Sequence, residues 1–149
     1  MNRDILSILV LNGPNLNLLG LREPELYGRQ TYADLEDYIR RSAMELGCAC
    51  EIYQSNHEGV LVDRIQAARG VYGGIVLNAA AYTHTSVAIL DALKAVEIPT
   101  VEVHLTDIHS REPFRQHSYV SLAAIATVVG KGFAGYREAM EILRNRLIG

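Results

Sequence analysis

What this chain is short of narrows its chemistry first. Of its 149 residues only two are cysteine, Cys48 and Cys50. We expect their side chains on opposite faces of one short strand, where they would not pair with each other. A disulfide framework, a zinc site and a catalytic thiol are therefore set aside. Lysine also occurs only twice, at Lys94 in a helical segment and Lys131 in a glycine-rich turn, and neither suggests Schiff-base chemistry. No cluster of His, Cys, Asp or Glu has metal-ligand spacing, so no metal is expected. A dominant charge is missing too: 14 basic against 17 acidic residues leave a net charge of -3. Without a basic run to follow a phosphate backbone, nucleic acid is not an expected partner. No apolar stretch approaches the ~20 residues that span a bilayer, and the Met-Asn-Arg-Asp start lacks the basic-then-apolar order of a secretion signal. The expectation is a cytoplasmic protein with no membrane contact.

What is present is the material for one core. With 49% hydrophobic residues, the chain is read as a single catalytic domain over 1–149. Short β-branched runs at Ile5 to Leu11, Cys48 to Gln54, Gly74 to Asn78, Thr100 to His104 and Ile125 to Val129 alternate with helical segments. That alternation marks βαβ units and a parallel sheet. The first helix is expected to start after Thr31 as N-cap and end at Gly47, the second to run from Glu58 to Arg69, the third from near Ser86 to before Pro99, and the last to follow Gly132. The simplest topology is a flavodoxin-like three-layer α/β sandwich with a five-stranded parallel sheet in the order 2-1-3-4-5.

In such sheets ligands bind beyond the carboxyl ends of the strands. There the sequence is polar: Asn12 and Asn15, Asn56 and His57, Asn78, and His104. Two long loops, Asn12 to Gln30 and Leu105 to Ser118, are read as binding loops. In the first, Tyr27 follows Arg22 by five residues. Keeping a tyrosine ionised near neutral pH takes ~4 kcal/mol of help, for which a guanidinium is the obvious source. Tyr27 with Arg22 is thus a candidate base. After the third strand, Thr85 or Ser86 caps a helix whose free N–H groups suit a carboxylate, beside His84. The fourth strand puts Glu102 and His104 on one face, where the carboxylate fixes the imidazole as a general acid. Arg111 and Arg115 follow in the second loop, and one of the two is expected to face an anionic or polyhydroxylated ligand, the other to be structural.

The stretches NGPNLNLLG, REPELYG, QSNHEG, NAAAYTHTS, EVHLTD and REPFRQHS, in this order and spacing, closely resemble the type II 3-dehydroquinate dehydratases across essentially the whole chain. The resemblance implies a flavodoxin-like fold, a homododecamer of four trimers, and a cofactor-free lyase of the shikimate pathway or of quinate breakdown. It implies that 3-dehydroquinate becomes 3-dehydroshikimate by stepwise anti elimination through an enolate. Tyr27 would take the C2 proton with help from Arg22, Asn15 would steady the enolate through a water, and His104 would protonate the departing C1 hydroxyl. Asn78 and the amides of Leu105 and Thr106 would hold the substrate carboxylate, with His84 and Arg115 at the ring hydroxyls. Asp91, in the third helix, would reach a neighbouring subunit's site; read from the residues alone it is a surface partner for Lys94.

The chain departs from the family pattern at Ala79-Ala80-Ala81, where NPGAYTHTS would have a glycine, at Thr106-Asp107 in place of Ser-Asn, and at Lys131 in place of an apolar residue. Asp107 would oppose a bound carboxylate if it turned inward. Two other readings are weaker. A flavin- or nucleotide-binding module needs a hydroxyl-rich phosphate loop, but the first loop is Gly13-Pro14-Asn15-Leu16-Asn17. A phosphoacceptor receiver needs an aspartate where Asn78 stands.

Overall fold

The computed structural model describes residues 5–21 and 29–147. Five strands, β1 (Ser7–Asn12), β2 (Ala49–Gln54), β3 (Gly74–Asn78), β4 (Thr100–His104) and β5 (Ala126–Val129), form one sheet in the order β2-β1-β3-β4-β5. Every neighbouring pair is parallel. The helices are α1 (Tyr32–Leu46), α2 (Glu58–Ala67), α3 (Val87–Val96) and α4 (Ala134–Leu147).

Strand alternation separates two apolar layers. Ile8, Val10, Val76, Val101 and Val103 pack with Leu35 and Ile39 of α1 and with Tyr136, Met140 and Leu143 of α4. Leu9, Leu11, Ile75 and Leu77 pack on the other face with Leu61 and Ile65 of α2 and Ile89 and Leu93 of α3. The result is the flavodoxin-like three-layer sandwich. The central strands β1 and β3 are buried on both faces, which explains why they read as unbroken apolar runs.

Local signals set the element ends. Thr31 accepts from the amide of Asp34 at 3.1 Å, and the Asp34 carboxylate accepts from the Thr31 amide at 2.9 Å, a reciprocal cap for α1. Gly47, at φ 73°, closes that helix in the left-handed conformation. Ser86 is the cap of α3, its hydroxyl accepting from Ile89 at 2.9 Å. Several boundaries differ from expectation. β1 runs from Ser7 to Asn12 and not from Ile5 to Leu11, leaving Ile5 48% exposed; β2 and β5 each begin one residue late, at Ala49 and Ala126; and α2 stops at Ala67, with a turn carrying the chain to Gly70.

The cysteines are not on opposite faces. Cys48 and Cys50 both pack against the α1/α4 layer, because positions two apart on an extended chain point the same way. Both are free thiols, and burial pushes both up from their ordinary pKa. Among the described residues no three His, Cys, Asp or Glu side chains form a metal-binding group, and no helix is long and apolar enough to cross a membrane.

Candidate active site

The carboxyl ends of β1, β3 and β4 open into a cleft of about 650 Å³, counted out to open solvent. Asn15, Asn78, His84, His104, Leu105, Thr106, Arg111 and Arg115 all line it. Of the anticipated site residues, Arg22 and Tyr27 lie outside the described residues. Asp91 is exposed on α3 and does not line the cleft of its own chain; it makes no ion pair with Lys94. Asp107 turns away, its carboxylate accepting from the His109 amide at 2.9 Å as the cap of a 3-10 turn at Ile108–Ser110.

His104 and Glu102 are paired. The Nε2 atom of His104 meets Oε2 of Glu102 in a short contact, leaving Nδ1 as the ring nitrogen not committed to the carboxylate. Glu102 is fully buried, yet no oxygen is left without a donor. Oε2 also accepts from Thr83 at 3.1 Å and Ser118 at 2.5 Å, and Oε1 accepts from Thr127 at 3.1 Å. Burial pushes the carboxyl up, but the His104 pairing and the hydroxyl donors outweigh it and hold it below the ordinary carboxylate value. The carboxylate thus stays ionised in the interior, where it fixes the orientation of the imidazole ring beside it. None of the three hydroxyl residues was singled out by sequence, since their convergence on one carboxylate brings together the turn after β3, the loop after β4 and strand β5.

The first loop is braced from β2. Asn15 adopts φ 71°, and its amide donates to Oδ1 of Asn56 at 3.0 Å. Gln54 donates from Nε2 to the Gly13 carbonyl at 3.1 Å and to Asn56 at 3.2 Å. Asn56 therefore supports the cleft from behind instead of lining it, and His57 heads α2 without a side-chain cap. The sheet edge explains this, because β2 lies beyond β1, one strand too far from the opening. The anion site expected at the α3 start is also not part of the cleft: Ser86 is buried and already occupies the Ile89 N–H.

The remaining wall is cationic. Arg111 and Arg115 both line the cleft. Arg115 is braced by Glu112 at 3.0 Å. His84 is held by its Nδ1 at 2.7 Å from the His117 carbonyl. Burial lowers the His84 pKa, the carbonyl pulls the other way, and the charges of His104, Arg115 and Arg111 add to the lowering. A cleft with a neutral imidazole, two guanidiniums, an amide and a carboxylate-backed histidine can bind a small anionic polyol and deliver a proton to it.

Similarity to known proteins agrees. The family model described as Dehydroquinase class II matches residues 6–144. A catabolic 3-dehydroquinase of Aspergillus oryzae is 58% identical over 135 residues, covering 91% of this chain and 88% of the relative. A 3-dehydroquinate dehydratase of Corynebacterium glutamicum is 54% identical over 139 residues, covering 93% and 96%. The crystal structure of a type II dehydroquinase from Butyrivibrio crossotus superposes with a TM-score of 0.91 at 43% identity, covering 93% of this chain and 97% of that one. With the sheet order, the cleft and the paired histidine all in keeping, the chain belongs to the class II dehydroquinase family.

Proposed function

We propose that this protein is a type II 3-dehydroquinate dehydratase that converts 3-dehydroquinate to 3-dehydroshikimate by stepwise anti elimination. The observation that carries the proposal is His104 at the cleft, backed by a buried, ionised Glu102. Tyr27, assisted by Arg22, removes the C2 proton, and the electron pair moves into an enolate steadied through water by Asn15. Collapse of the enolate expels the C1 hydroxyl, which leaves as water with the proton that His104 supplies. Asn78 with the amides of Leu105 and Thr106 holds the substrate carboxylate, and His84 and Arg115 take the ring hydroxyls. Arg111 adds a second positive charge to the same wall. The proposal extends to one catalytic domain over 1–149, a cytoplasmic homododecamer built from trimers, and Asp91 serving a neighbour's site.

The test separates base from acid. Formation of the conjugated enone is followed by ultraviolet absorbance, and exchange of the C2 proton by NMR in heavy water. Tyr27→Phe should lose both activities. His104→Ala should lose dehydration by ~10² to 10⁴-fold, the scale of general acid catalysis, and keep C2 exchange. A Tyr27→Phe protein that exchanges the C2 proton at the wild-type rate would sink the assignment.

A further inference from the structure

Beneath the cleft runs a chain of hydrogen bonds for which the mechanism above has no use. Tyr136, on α4, is fully buried, and its hydroxyl donates to Oδ1 of Asn12 at 2.6 Å. The Tyr136 hydroxyl oxygen in turn accepts from Nδ2 of Asn78 at 2.9 Å. Asn78 is thereby bonded across 58 positions of sequence to a helix that does not reach the cleft. On its other side, Oδ1 of Asn78 accepts from the Ala80 amide at 3.1 Å.

These contacts fix which way the Asn78 amide faces. A backbone N–H can only donate, so the atom beside Ala80 is the oxygen. A tyrosine hydroxyl has one proton, and Asn12 takes it, so toward Asn78 the hydroxyl acts as acceptor. One Nδ2 hydrogen is spent there. An amide nitrogen carries two, and the second is left on a side chain that lines the cleft. The alternative flip would set two donors against each other at Ala80.

We infer that Tyr136 is a positioning residue that holds the Asn78 amide with a hydrogen, not an oxygen, toward the cleft, so that its floor donates to an anionic oxygen of the ligand. The inference rests on the proposed function for the identity of that ligand, the substrate carboxylate. It adds a residue to the binding apparatus that touches no ligand and sits 124 positions from its partner Asn12.

Steady-state kinetics on 3-dehydroquinate should be compared for wild type, Tyr136→Phe, Asn78→Ala and the double variant. Tyr136→Phe keeps the ring and removes one hydroxyl, and KM should rise roughly 3- to 10-fold with kcat changed less than about twofold, the scale of one orienting hydrogen bond. In the Asn78→Ala background the same change should move KM less than about twofold, because the residue through which it acts is gone. An equal shift in both backgrounds, or none in the single variant, overturns the inference. Neutron diffraction of deuterated wild-type protein tests it without a variant that must fold. The Tyr136 deuteron should point to Asn12, with one Asn78 amide deuteron on the Tyr136 oxygen and the other in the cleft; the reverse order refutes it. Wild-type protein inactive on 3-dehydroquinate would count against the proposed function, while the neutron result would still judge the hydrogen-bond order.

Discussion

Ala80 sits at φ 53°, in the left-handed region, at the edge of the cleft and as the first residue of a run of 3-10 backbone, Ala80–His84. A Cβ in that conformation is crowded by its own peptide, and glycine relieves the crowding while adding freedom to the unfolded chain. The first effect is worth roughly 1 to 2 kcal/mol and the second offsets ~0.4 to 1 kcal/mol. Ala80→Gly should therefore stabilise the fold by about 0.5 to 1 kcal/mol, read as a higher urea midpoint. A lower midpoint would mean that the half-buried methyl contributes more packing than its backbone costs. The residue scale was also where sequence reading was least complete. Ala79-Ala80-Ala81 stood out as unusual, but positive φ belongs to the backbone and is not written in alanine. Tyr136 carried no signal either: on the helical stripe with Ala139, Met140 and Leu143 a tyrosine reads as core, and its hydroxyl acquires a purpose only when β1 and β3 lie beside it.

At the scale of elements the sequence was far more legible. Gly74 to Asn78 and Thr100 to His104 emerged as strands with the boundaries expected, because each is a short apolar run closed by a polar residue. The Thr31 cap and Gly47 stop delimit α1 as read. Ile5 and the end of α2 failed because hydropathy alone does not tell where a partner strand stops or a last turn tightens. β4 is the element whose behaviour is most open to measurement, since it carries a carboxylate into the interior. The folded pKa of Glu102 is depressed, so its contribution to stability is present above the unfolded carboxylate range, about 4 to 4.5, and is lost as pH falls through the lower folded value. Urea midpoints measured between neutral pH and pH 3 should fall more steeply for wild type than for Glu102→Gln, which has no proton to take up. Parallel profiles would remove Glu102 from the list of acid-sensitive groups.

At the scale of the whole molecule, the cleft was legible as a convergence of strand ends but not as a complete site. Asp91 faces away from it, on a helix packed beneath the sheet's other face. If it completes a neighbour's site, Asp91→Asn and His104→Ala proteins, each impaired alone, should recover measurable activity when unfolded together and reassembled, because some sites then receive both native residues. Recovery no greater than the sum of the two separate proteins would confine Asp91 to its own chain's surface. The floor of the cleft has a different kind of limit. The Gly13 amide donates to the Asn78 carbonyl at 2.8 Å, and a Cβ on Gly13 would fall 2.4 Å from the Ala79 carbonyl oxygen. The loops leaving β1 and β3 thus touch backbone to backbone, with no side chain between them to exchange for a larger or smaller one. Divergence toward bulkier ligands, in nature or in a mutant library, has no adjustable part there; it must work through the rim that carries Arg111 and Arg115, and the floor passes unchanged from one specificity to the next.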